Sequence, residues 1–411
     1  MKSQFDDEGF EFDRRILLGG AVRGLTDVGE VLVTLDAVTD GDHESWIQQF
    51  TALADRVRGA AETSASAGRT ASARSANLRA SSYYATAASH AVGTGDGSRM
   101  RALWERHRDC WDAAVAEFDP PVERIAIPYE DTTLEGYFFH GARDAPSDGG
   151  PTARPTVILN NGSDGPVCDM WGAGGAAAVE RGWNALVFDG PGQGAALFRQ
   201  QLHFRPDWEA VITPIVDHLL TRDDVDPRRI ALSGVSQAGY WVPRAVSREH
   251  RIAGAIADPG VMRVGDSWTS HLPDVMIQLL DSGDKADFDT FMAGAMKDSP
   301  ATAAELKWRM APYGTDSYFD AYRAARAMTL TADDLAAITC PVLITAPDHE
   351  QFWPGQAQEM HELIAGSTLV AFTEAEGADW HCEPTARMLR DERTSDWLAA
   401  VFDAVTEAPQ D

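Results

Sequence analysis

Between residues 156 and 372, short apolar runs alternate with segments of helical period, and this alternation narrows the possible folds more than any other feature of the chain. The runs are Thr156-Val157-Ile158-Leu159-Asn160, Ala185-Leu186-Val187-Phe188-Asp189, Ile230-Ala231-Leu232-Ser233-Gly234, Ile252-Ala253-Gly254-Ala255-Ile256-Ala257, Pro341-Val342-Leu343-Ile344-Thr345 and Thr368-Leu369-Val370-Ala371-Phe372. Each is too short for a helix and apolar without alternation, as a strand buried on both faces must be. Strands of this kind, joined by helices, build a mostly parallel, doubly wound α/β sheet covered on both sides. Upstream, residues 124–129 and 134–140 read as a hairpin turning near Glu130-Asp131. Residues 208–220 read as a crossover helix, with Pro206 near its first turn and Pro214 expected to kink it. Trp397, Leu398, Val401, Phe402 and Val405 mark a final packing helix.

Two regions fall outside the alternation. Residues 42–118 are helical in period: Trp46, Phe50, Leu53 and Val57 share one face, and Leu103, Trp104, Trp111, Val115 and Phe118 mark a later helix that Pro120-Pro121 ends. The Ala-, Ser- and Thr-rich stretch 60–74 is expected to link two helices. A second interruption, from Ala257 to Pro341, is too long for a structureless loop in a compact domain. Its Met and aromatic residues predict an inserted helical cap. The expected organisation is a helical accessory domain over 1–120, a sheet domain over 121–260 and 336–411, and a cap over 261–335. Residues 141–154, rich in Gly, Asp and Pro, read as a loop.

Charge narrows the partners. The net charge is −28, which repels nucleic acid and anionic membrane, so neither is expected. No apolar run reaches the length of a membrane span, and residues 1–13 are acidic and polar, unlike a secretory signal. Cys110, Cys168, Cys340 and Cys382 are scattered and form no metal-type pair, which suits reduced thiols in the cytoplasm.

The chemistry concentrates after the strands. Ser233-Gly234-Val235-Ser236-Gln237-Ala238-Gly239-Tyr240 follows an apolar run and precedes a helix. A tight strand-to-helix turn of this type lifts a serine nucleophile above the sheet, with small neighbours where backbones crowd. Ala238 stands where the usual Gly-x-Ser-x-Gly pattern has its second glycine. In such a fold the chain order is serine, acid, histidine, so the base is expected at His381, in the loop after the last strand. The acid is expected after Thr345, where Asp348 and Glu350 both qualify. Backbone donors for an oxyanion are expected from Gln237 and from the loop Asn160-Asn161-Gly162-Ser163-Asp164-Gly165, at the Ser163 amide. Asp189-Gly190-Pro191-Gly192-Gln193-Gly194 could suggest a dinucleotide fingerprint, but Pro191 and the want of a following amphipathic helix favour a structural turn.

Several of these pieces occur together: Arg79-Ala80-Ser81-Ser82-Tyr83-Tyr84, Asn160-Asn161-Gly162, Asp189-Gly190-Pro191-Gly192-Gln193-Gly194, the Ser236 elbow, Phe352-Trp353-Pro354-Gly355-Gln356, and Glu376-Gly377-Ala378 through His381-Cys382. Over residues 40–405 the chain resembles the α/β-hydrolases of the 2,6-dihydroxypseudooxynicotine hydrolase and fungal yellowish-green polyketide-shortening group. The resemblance implies the α/β-hydrolase fold, a Ser-His-acid triad, no cofactor and no metal, a homodimer, and hydrolysis of a carbon–carbon bond beside a ketone in a small-molecule substrate. The family's spacing of the acid four residues before a proline favours Glu350 over Asp348. It also implies that the N-terminal helices close over the pocket, which makes Tyr83 and Tyr84 candidate pocket residues, with Asp164 a third. A packing face of a helix is the alternative for the two tyrosines. Together with the cap, the N-terminal block is expected to cover Ser236.

The favoured function is therefore a serine hydrolase acting on a β-diketone or polyketide-like, aromatic ketone. An esterase or amidase, or an acyl-transferring cyclase, would use the same residues. A catalytically dead ligand-binding module is the alternative of another class.

Overall fold

The computed structural model describes residues 3–141 and 153–407, so the loop expected over 141–154 lies almost wholly outside the described residues. The chain divides into two compact units. One comprises Met1–Val122, Ala293–Arg309 and Pro384–Arg387; the other comprises Glu123–Met292, Met310–Glu383 and Met388–Asp411.

The first unit is helical, with Glu8–Gly20, Val28–Leu35, His43–Ser66, Thr70–Ala91 and Gly97–Val115 as its main helices. The first two were not apparent from apolar period. Their starts are set by Asp7 and Asp27, whose carboxylates accept from amides of the first turn. The stretch 60–74 does join two helices, but most of it is itself helical: His43–Ser66 extends into it and the next helix begins at Thr70, which leaves only residues 67–69 between them. Alanine has the highest helix propensity, so an Ala-rich stretch extends a helix until something stops it. Here the stop is Gly68, at φ 69, a left-handed conformation that glycine adopts without steric cost. Phe10, Trp46, Phe50, Tyr83 and Trp111 form a buried centre, with Trp46 stacked 4.2 Å from the ring of His90. The helix before Pro120-Pro121 ends at Val115, short of the prolines.

In the second unit, described strands form one sheet of eight: β1 (Glu123–Tyr129), β2 (Thr132–Phe139), β3 (Arg154–Asn160), β4 (Asn184–Phe188), β5 (Val225–Val235), β6 (Gly254–Asp258), β7 (Val342–Pro347) and β8 (Thr368–Phe372), in the order β1-β2-β4-β3-β5-β6-β7-β8. β1 and β2 form the antiparallel hairpin, β2 is antiparallel to β4, and every later pairing is parallel. The hairpin turns through Glu130, at φ 46. Ile158, Leu186, Leu232 and Ile344 have no exposed surface, and burial of each such side chain contributes about 1.5–3 kcal/mol.

Between Glu209 and Leu219 a helix carries Val211, Ile212, Ile215, Val216 and Leu219 on its buried face, with Pro214 inside it. Trp208, just before it, stacks 4.1 Å from Trp241 of the helix Ala238–Val246. The turn after β4 is followed by a short helix, Gly194–Gln200. It is two turns long, too short to show an amphipathic period in the sequence. Residues 258–341 are helical as expected, in short pieces including Asp274–Ser282, Lys285–Ala295 and Tyr318–Ala327.

Because β3 has β4 on one side and β5 on the other, successive crossovers leave β3 in opposite directions. In open α/β sheets a crevice opens at such a point, beyond the carboxyl ends of the strands. The loops after β3 and β5 are those that carry Ser163 and Ser236.

Candidate active site

Ser236 sits one residue beyond β5 at φ 58, in the left-handed region that costs a non-glycine residue on the order of 1–3 kcal/mol. The turn is held by hydrogen bonds from Ser236 N–H to the Asp258 carbonyl at 2.6 Å and from Gly239 N–H to the Ser236 carbonyl at 2.8 Å. The geometry accounts for Ala238. A Cβ on Gly239 would lie 1.8 Å from the Pro259 carbonyl oxygen, whereas the Ala238 side chain is buried against Gly234, whose own Cβ would meet it at 2.7 Å. The close approach that demands glycine has moved one residue along.

His381 lies in the loop after β8 and is buried. Its Nε2 is 2.9 Å from Ser236 Oγ, and its Nδ1 is 2.7 Å from Glu350 Oε2. Glu350 is oriented in turn, because its Oε1 accepts from the amides of Phe352 at 2.9 Å and Trp353 at 3.2 Å. The His381 amide donates to Gln351 Oε1 at 3.1 Å, and the Phe352 ring meets the imidazole edge-on at 4.8 Å. Asp348 is not part of this chain of bonds: it is exposed, and its carboxylate accepts from the Glu374 amide at 3.2 Å. A second tie joins the two loops. His349 Nδ1 lies 2.7 Å from Asp379 Oδ2 and its amide donates to the Asp379 carbonyl at 2.8 Å; the hydrogen bond to Asp379 raises the pKa of His349.

Across the crevice, Gly162 borders the serine so closely that a Cβ there would lie 2.7 Å from Ser236 Cβ. Neither the Ser163 nor the Gln237 amide N–H has an acceptor among the described residues. Two unengaged amides flanking a serine can stabilise an oxyanion. The Ser163 hydroxyl is turned to exposed Asp164, at 3.2 Å. The Gln237 side chain lies against Met328 Sδ, at 3.6 Å, so the end of the inserted segment reaches the residue after the serine. Tyr83 and Tyr84 belong to the helical unit, where their hydroxyls donate to Glu30 and Asp55 respectively.

Sequence reasoning missed Asp258. It is wholly buried at the end of β6, and its Oδ1 accepts from Thr345 Oγ1 at 2.8 Å and its Oδ2 from Arg390 Nε at 2.6 Å. Its carbonyl accepts from the Ser236 amide and the Cys382 thiol. Burial pushes the carboxyl upward, but the Arg390 charge and the hydrogen bonds outweigh it and hold the pKa below the usual value. Removing one member of such a buried pair costs about 3–5 kcal/mol. The signal was an ionisable residue ending an apolar strand, in Ala255-Ile256-Ala257-Asp258-Pro259.

Among the described residues, Glu123, His140 and Asp224 are close enough together to offer a metal three ligand atoms. The Arg222 guanidinium already bridges both carboxylates at 2.8 Å and supplies the positive charge there.

Comparison with known proteins gives the arrangement its context. The chain is 30% identical to the Alpha/beta hydrolase xenA of Xenoacremonium sinensis over 372 residues, covering 87% of this chain and 84% of that one. The chain belongs to the α/β-hydrolase family. The hydrolase is also 29% identical to the 20-hydroxy-prefusarin hydrolase FUS2 of Gibberella moniliformis, over 86% of its own length and 85% of the relative's. Among solved structures it superposes on a 2,6-dihydroxy-pseudo-oxynicotine hydrolase with a TM-score of 0.72 at 21% identity, covering 93% and 95% of the two chains. No family-level sequence profile matches the hydrolase. The resemblance read from its motifs thus holds in sequence for the fungal hydrolases and in fold for the oxynicotine enzyme. No helix among the described residues is long and apolar enough to cross a membrane.

Proposed function

We propose that this hydrolase uses Ser236, His381 and Glu350 as a catalytic triad to cleave a carbon–carbon bond beside a ketone in a β-diketone or polyketide-like substrate. The observation that carries the reading is the unbroken chain of hydrogen bonds from Ser236 Oγ through His381 to Glu350. His381 Nε2 takes the serine proton as Oγ attacks the carbonyl carbon, and Glu350 stabilises the imidazolium through Nδ1. The Gln237 and Ser163 amides receive the oxyanion. Collapse of the tetrahedral adduct breaks the bond to the α-carbon. The electron pair passes to that carbon, where a second carbonyl of the substrate holds it as an enolate, and His381 returns the proton. Water then attacks the acyl-enzyme with His381 again as base, releasing the acid and free Ser236.

The substrate class comes from the motif resemblance, supported by relatives named for a prefusarin and for a dihydroxy-pseudo-oxynicotine. Turnover of matched panels of β-diketones, aryl ketones and p-nitrophenyl esters tests it. A ketone should exceed the esters in kcat/KM by at least about tenfold, on the principle that discrimination follows differential transition-state binding. Turnover of esters alone would assign the chain as an esterase. Failure of a fluorophosphonate to label Ser236 would remove the triad altogether.

A further inference from the structure

We infer that Gln193, on the turn after β4, is the positioning residue that aims the Ser163 amide at the oxyanion; the inference rests on the serine-nucleophile reading above. Gln193 is 4% exposed and every polar atom of its side chain is committed. Its Nε2 donates to the Asn161 carbonyl at 2.8 Å and to the Gly162 carbonyl at 2.6 Å, and its Oε1 accepts from the Gly190 amide at 2.9 Å. The turn that carries it is itself tied down, because Asp189 Oδ2 accepts from the Ala195 amide at 2.9 Å.

The consequence follows from peptide planarity. In a trans peptide the C=O and the next N–H point in opposite directions. With the Gly162 carbonyl held toward Gln193, the Ser163 N–H must point away from it. The Asn161 carbonyl is held by the same nitrogen, so the Gly162 N–H also turns away, but Asn161 Oδ1 accepts it at 2.8 Å. One of the loop's two candidate donors is thereby consumed inside the loop. The other, at Ser163, stays without an acceptor among the described residues.

Such a clamp is needed because of the glycine beside it. Gly162 has no side chain, since a Cβ would strike Ser236 Cβ. The freedom that glycine brings makes the 162–163 peptide easy to rotate, and a flipped peptide would present a carbonyl oxygen to the oxyanion instead of a donor. Gln193 opposes that flip through its bond to the Gly162 carbonyl, while its bond to the Asn161 carbonyl steadies the preceding peptide.

Three variants of the full-length chain test this: Gln193→Glu, near-isosteric but without donors, Gln193→Met, similar in length and apolar, and Gln193→Ala. The readout is inactivation by a fluorophosphonate, resolved into the limiting rate kinact and the half-saturating concentration KI, with the downfield imidazole proton of His381 followed by NMR. Loss of one oxyanion donor typically costs about 10²–10³ in rate. The folded variants should therefore lose about a hundredfold in kinact, with KI changed less than about threefold and the imidazole resonance retained. Unchanged kinact in any folded variant, a loss confined to KI, or a rate loss with disappearance of the imidazole resonance would each overturn the assignment. Wild-type chain that is not labelled at Ser236 would instead bring down the underlying nucleophile reading.

Discussion

His381 Nδ1 lies 2.7 Å from Glu350 Oε2, while the carboxylate of Asp348, two residues earlier in the same loop, accepts from the Glu374 amide instead. The distinction is chemical as well as geometric. A carboxylate on Nδ1 fixes the tautomer that leaves Nε2 free to accept the serine proton, and it stabilises the imidazolium that forms. Glu350→Gln removes that charge without changing shape, and should lower kcat by about a hundredfold or more. Asp348→Asn should stay within about threefold, as expected for an exposed group outside the reacting set. Steady-state turnover of one activated ester by both variants decides the matter. A larger loss in the Asp348 variant would reverse the roles.

Ser236 and His381 are predicted to act as a unit. Each single alanine variant should lose on the order of a thousandfold or more in kcat, and the double variant should be scarcely slower than either single one, because members of a triad fail together. The residual rate is expected to come from the Gln237 and Ser163 amides, which neither substitution touches. Pre-steady-state turnover and circular dichroism of the three variants provide the check. Multiplicative losses would mean that the two residues act in separate steps.

The elbow makes a paired prediction about stability. Ala238→Gly should be tolerated, with turnover within a few-fold of wild type, because it only removes a methyl group and adds backbone freedom. Gly239→Ala should destabilise by about 2–4 kcal/mol, since its Cβ would sit 1.8 Å from the backbone oxygen of Pro259 and neither chain segment can yield cheaply. Urea midpoints of the two variants test the contrast. Equal midpoints would show that the turn relaxes more readily than its geometry indicates.

The contrast between those two residues also shows how far the site could be read from sequence. The strands were legible because burial on both faces forces uninterrupted apolar runs, and chain order then put Ser236, the acid and His381 into three separate loops. That these loops meet is a property of sheet order, which short runs of residues do not encode. Gln193 and Asp258 act on partners far along the chain, at Asn161 and Gly162 for one and at Cys382 and Arg390 for the other. No local pattern announces such contacts. The Glu8–Gly20 helix was hidden differently, since it buries Glu11 paired with Arg15 at 2.9 Å where a helical stripe would show apolar residues. Its polar composition concealed a buried face.

The helical unit carries a pH dependence of its own. His107, on the helix Gly97–Val115, is fully buried, with Nδ1 2.9 Å from Ser81 Oγ and no partner for Nε2 among the described residues. Burial, helped by the Arg108 charge, pushes its pKa down to about 3 against a slight opposing effect of the Ser81 carbonyl. In the unfolded chain the same group titrates near its ordinary value of about 6.5. Below that pH the unfolded chain takes up a proton that the folded unit refuses. The stability associated with neutral His107 is therefore complete above about pH 6.5 and declines as pH falls toward 3, by about 2 kcal/mol between pH 6.5 and 5. His107→Gln keeps a polar side chain that can reach Ser81 and removes the titration. It should melt below wild type at pH 7.5, and the gap between the two melting temperatures should close by several degrees at pH 5. A gap that stays constant across this range would mean that His107 is protonated in the folded unit, with its charge met by a group the helix does not itself provide.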